Sequence, residues 1–175
     1  EHFTFVPRWR MDDVMVSFAC PGGSVGPHFD QYDVFLLQVE GTRRWQIGGH
    51  CDANTPLKLD CPMRLLESFT FQQEWLLEPG DMLYLPPGIA HWGVAESECL
   101  TYSIGFRSPS IADLLGDLSV ELIAQGYDAH YRDPPMSHAL AGPDIAQEFV
   151  TQAKQQLWRA IDNDDLIGDW FARFM

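Results

Sequence analysis

A chain of 175 residues is the size of one domain and buries roughly 70% of its unfolded surface, so its core needs no disulfide or metal staple. With 46% apolar and 21% charged residues, it reads as neither a disordered nor a membrane-spanning chain. The net charge of −14 argues against wrapping nucleic acid directly; it either simply keeps the chain soluble or suits a basic protein partner.

Cys20, Cys51, Cys61 and Cys99 are scattered with no Cys-x-x-Cys pair. That argues against a zinc knuckle or a disulfide scaffold and for a reducing, cytoplasmic compartment. The chain opens on Glu1 without a secretory pattern, and is expected to be a piece of a longer protein.

Short runs of β-forming residues punctuated by Gly and Pro predict strands over 13–20, 33–39, 43–47, 75–77, 82–85, 92–95 and 100–107. Many short strands in one unit predict a barrel or sandwich. Gly41 in Val39-Glu40-Gly41-Thr42 can supply the positive φ of a tight hairpin turn, making the second and third strands antiparallel neighbours. Residues 51–61 lack periodicity and read as a long excursion, and Glu78-Pro79-Gly80-Asp81 reads as a turn.

From Ser108 the period changes to about 3.6. Ile111, Leu114, Leu115, Leu118, Leu122 and Ile123 form one helical stripe, with Ser110 and Asp113 as its start. A second helix is predicted after Pro143, with Ile145, Phe149, Ala153, Leu157 and Ile161 as its stripe, and a third over 165–174. Trp170, Phe171 and Phe174 on the third belong either to a core or to an oligomer interface. The expected whole is mainly β with C-terminal helices: a barrel over 1–107 and helices over 108–175, packed as one compact unit.

In Pro27-His28-Phe29-Asp30, His28 and Asp30 are two apart, so on an extended backbone both project to one side. His91 follows the rigid turn Leu85-Pro86-Pro87-Gly88 and supplies a second imidazole. Two His and one carboxylate leave coordination positions open, as non-haem iron(II) requires to take a co-substrate and oxygen. Alternation puts Arg43 on the face of Trp45 and Ile47, inward, and Arg44 toward solvent. A buried guanidinium needs an anion. Either an internal Asp or Glu provides it, or the far carboxylate of a dicarboxylate that chelates the metal. Ser17, Thr101 and Ser103 are hydroxyls that could bond that carboxylate or simply the backbone. Gln31, Tyr32 and Asp33 could line the entry, and Asp33 could equally cap a turn.

The run from Gly26 to Phe35, the hairpin leading to Arg43-Arg44-Trp45, and Glu78-Pro79-Gly80-Asp81 through Gly88 to His91 resemble the Jumonji-C (JmjC, cupin) ribosomal oxygenases. Within them the chain is most similar to bacterial enzymes that hydroxylate an arginine of a large-subunit ribosomal protein. The resemblance implies a double-stranded β-helix holding iron(II) through His28, Asp30 and His91. It also implies that Arg43 binds the co-substrate 2-oxoglutarate, assisted by Ser17, with molecular oxygen consumed. Many relatives carry Lys where this chain has Arg43. The helices after Ser108 would match a dimerisation region, giving a homodimer, while the family's longer N-terminal part and winged-helix domain are not visible here. Two other readings stay open: the same chemistry on a histidine or another side chain, and a metal-binding cupin module without oxygenase activity.

Overall fold

The computed structural model describes residues 5–135 and 144–175. The chain divides into two compact units, Glu1–Ser108 and Pro109–Met175.

The first unit holds seven strands: β1 Met11–Ala19, β2 Val34–Glu40, β3 Arg43–His50, β4 Phe71–Leu77, β5 Met82–Leu85, β6 Ile89–Ala95 and β7 Cys99–Phe106. They build two antiparallel sheets, ordered β1-β7-β2-β5 and β4-β3-β6. This is the two-sheet cupin barrel expected from the sequence. Gly41 makes the β2–β3 turn at φ 63°, and a Cβ there would collide with the Glu98 carbonyl. Only glycine satisfies both demands.

Alternation decides what lies between the sheets. Val34 and Leu36 of β2 meet Trp45, Leu77 and Leu85 in the main apolar cluster. Phe35, on the opposite face of β2, is also buried, because Val6 and Phe106 cover it. A third cluster joins Phe29, Leu66 and Ala90, packed by Leu57 and Phe69 from the excursion after β3. That excursion is tied down by a Leu57–Leu66 bridge and by Leu66 N donating to Pro27 O. The unpatterned segment therefore buttresses the ligand-bearing loop.

The second unit contains α1 Ile111–Ala124, α2 Gln147–Ile161 and α3 Asp164–Phe174. Ser110 and Asp113 form a reciprocal capping box on α1. Only Leu118 of the predicted α1 stripe is buried; Ile111, Leu115 and Ile123 are exposed. Pro143 lies outside the described residues, and Ile145 falls before α2 and is exposed. Trp170 belongs to this unit's core: it is buried, and its Nε1 donates to Asp117 Oδ1 at 2.7 Å. No helix among the described residues is long and apolar enough to cross a membrane.

Candidate metal centre

The loop 27–30 crosses to β6, and the backbones of His28 and His91 exchange both hydrogen bonds, at 3.0 and 2.8 Å. A second tie, Gly88 N to Asp30 O at 2.7 Å, holds the other end of the loop against the turn before β6. Phe29 anchors in its apolar cluster on one side, so His28 and Asp30 face the other. The sequence places His91 just before a strand; β6 starts two residues earlier, at Ile89, and His91 is part of the sheet.

One donor atom each of His28, Asp30 and His91 lies within 4.8 Å of the other two. Nδ1 of His28 is 2.9 Å from the Gly26 carbonyl and Nδ1 of His91 is 2.9 Å from that of Ile89. A carbonyl can only accept, so both Nδ1 atoms carry hydrogen and both Nε2 lone pairs are left for a metal. His91 Nε2 stands 3.7 Å from Asp30 Oδ2. Burial first, then the neighbouring His28, pushes the His91 pKa from 6.5 down to about 4, so the ring is a neutral ligand at neutral pH.

Arg43 is buried among polar oxygens at the other end of the same face. Its Nη1 donates to Ser17 Oγ at 3.2 Å and to Thr101 Oγ1 at 3.3 Å, and its guanidinium carbon sits 5.2 Å from the Trp45 ring centre. No carboxylate pairs with it among the described residues, and its Nε is buried without a partner. The internal Asp or Glu allowed by the sequence is thus absent from the described residues. Burial lowers the pKa of Arg43, which marks a cation short of its anion. The Trp45 ring lies 5.9 Å from that of His91, so the indole spans the distance between the two ends of the site. Gly93 makes room for it, since a Cβ there would stand 2.7 Å from the indole.

Arg44 points outward to Glu74 and Glu96, at 2.8 and 2.6 Å. Asp33 neither lines the entry nor caps a turn; it is buried and accepts from Arg10 Nη2 at 2.8 Å and Tyr84 Oη at 2.7 Å. Tyr32 does stand by the metal ligands. Its phenol is pushed up to about 12 by partial burial first, then by the neighbouring Asp30 and by Asp13 and Asp12. Sequence reasoning missed Asp13. It shares the face of β1 with Ser17, and it rests over Gly105, where a Cβ would be 2.9 Å from its Oδ1. That parity was the available signal.

The JmjC domain profile matches residues 1–114, which include all three candidate ligands and Arg43. The profile of the AraC-like ligand binding domain matches residues 68–161, sharing β4 to β7 but not the loop with His28 and Asp30. A probable ribosomal oxygenase of Haemophilus influenzae is 48% identical over 161 residues, covering 89% of this chain and 40% of that protein. The ribosomal protein uL16 3-hydroxylase of Escherichia coli is 34% identical, covering 99% and 46%. Among solved structures, the E. coli ribosomal oxygenase YcfD in complex with cobalt and 2-oxoglutarate superposes with a TM-score of 0.80 at 33% identity, covering 97% of this chain and 44% of that one. The chain spans less than half the length of these relatives. On the profile match that contains its whole site, this chain belongs to the JmjC-domain family, beside the ribosomal oxygenases.

Proposed function

We propose that this chain carries the active site of an iron(II)- and 2-oxoglutarate-dependent protein hydroxylase acting on an arginine of a large-subunit ribosomal protein. The observation that carries the reading is the buried, carboxylate-free Arg43 on the face that also presents His28, Asp30 and His91. A metal-binding module without a dicarboxylate ligand gives no reason to desolvate a guanidinium there.

The residues present fit both absent groups. Two neutral imidazoles and one carboxylate suit iron(II), and the unsatisfied guanidinium suits a carboxylate. When bound, iron and 2-oxoglutarate together supply the oxidising power that inserts one atom of dioxygen into an unactivated C–H bond. The chain's own task is geometric. The Gly26 and Ile89 carbonyls orient the two imidazoles, Arg43 would hold the far carboxylate, and Trp45, between the two ends, would help to exclude water.

The finer choice of arginine rests on charge. Asp12, Asp13 and Asp30 act on the Tyr32 phenol together, so an acidic, aromatic-edged rim adjoins the metal ligands. It favours a target that is cationic at neutral pH over a neutral histidine. The names of the relatives support a ribosomal protein as substrate, and hence a cytoplasmic setting. The net charge of −14 suits so basic a partner. The exposed Ile111, Ile123, Leu157 and Trp158 of the helical unit support a homodimer formed through it.

Incubation with iron(II), 2-oxoglutarate and ribosomal proteins, followed by mass spectrometry, tests the reading. One added oxygen on an arginine of a large-subunit protein is expected. An oxygen on histidine would replace the target and leave the chemistry, and no consumption of 2-oxoglutarate by folded, metal-loaded protein would remove both.

A further inference from the structure

Gln38 is fully buried in the middle of β2, and every polar atom of its side chain is engaged. Nε2 donates to the carbonyls of Glu40 and Gly41, at 2.8 and 3.3 Å, in the turn that leads into Arg43. Carbonyls only accept, so the amide has one possible orientation and Oε1 must face Thr101. Thr101 Oγ1 donates to it at 3.0 Å, which commits the single proton of that hydroxyl. What Thr101 offers to Arg43 is therefore only a lone pair, taken by Nη1 at 3.3 Å. Ser17 follows the same logic: its hydroxyl leans to the Thr101 carbonyl at 3.4 Å and accepts from Nη1 at 3.2 Å.

We infer that Gln38 is a positioning residue for co-substrate binding: through Thr101 it locks Nη1 of Arg43 to the protein, so that the guanidinium is held ready to present its remaining donors to the far carboxylate. Without the Gln38 acceptor, the Thr101 proton is free to turn toward Nη1, where it repels the cation and releases it to rotate. Gln38 thus acts on 2-oxoglutarate without touching it. The inference rests on the co-substrate reading of Arg43 given above.

The test measures the affinity of the chain loaded with manganese(II) for 2-oxoglutarate and for oxalate, which can chelate the metal but has no far carboxylate. Gln38→Met and Thr101→Val should each weaken 2-oxoglutarate about tenfold, the scale of one hydrogen bond, and leave oxalate unchanged. Thr101→Ser, which keeps the hydroxyl, should bind both as the wild type does. Equal losses for both ligands would make Gln38 a merely structural staple of the turn, and an unchanged 2-oxoglutarate affinity in Gln38→Met with a wild-type melting temperature would overturn the inference. A wild type that binds oxalate but not 2-oxoglutarate would instead sink the reading of Arg43 and this inference with it.

Discussion

His28, Asp30 and His91 converge within 4.8 Å because each is held from behind: the two imidazoles by Nδ1 bonds to carbonyls, and the backbone of Asp30 by the Gly88 tie. Replacing any one with Ala should abolish succinate formation in the presence of iron and 2-oxoglutarate, and near-normal succinate would count against the assignment. His91 also makes the metal-free chain sensitive to acid. The unfolded ring takes its proton near pH 6.5 and the folded ring only near 4, so unfolding binds protons in that window. The stability carried by the neutral imidazole is complete above pH 6.5 and is lost as pH falls toward 4, by on the order of 3 kcal/mol. Denaturant titrations at several pH values should show this slope in the wild type and a smaller one in His91→Gln. At the rim, Asp13→Asn should lower kcat/KM for the protein substrate about tenfold with 2-oxoglutarate affinity unchanged. A fall in both would place Asp13 with the co-substrate instead.

At the scale of elements, β3 carries the design: Arg43, Trp45 and Ile47 face inward at successive odd positions, flanked by Ala95, Gly93 and His91 of β6. Gly93→Val should force Trp45 from its seat and cost roughly 1–3 kcal/mol, as overpacking does, read as a lowered melting temperature. An unshifted melting temperature would mean the indole has room to move. The parts visible in the sequence were those governed by two-residue alternation on extended backbone, namely the His28/Asp30 pair in its loop and the inward Arg43 and outward Arg44 of β3. β4 was predicted only from residue 75 because Gln72, Gln73 and Glu74 hide the apolar alternation, and as the edge of its sheet β4 can leave them exposed. The start of β6 was hidden by its Pro-Gly turn. Gln38 went unread because its meaning lies in Thr101, 63 residues away, and only strand pairing brings the two together.

For the whole molecule, the barrel buries its apolar residues far more completely than the helices do. Within the helical unit, Leu157 and Trp158 are 70% and 65% exposed, which a solitary unit of this size has little reason to keep. Sedimentation should find a dimer, shifted toward monomer by the double substitution Leu157→Asp and Trp158→Asp with the metal site intact. A wild-type monomer at micromolar concentration would contradict this. The most direct test of the central claim is a crystal grown with manganese(II) and 2-oxoglutarate and measured for anomalous scattering. A peak among His28, Asp30 and His91, with the keto acid on the metal and the far carboxylate on Arg43, is the predicted result; a metal bound elsewhere, or a carboxylate that leaves Arg43 unpaired, would contradict it.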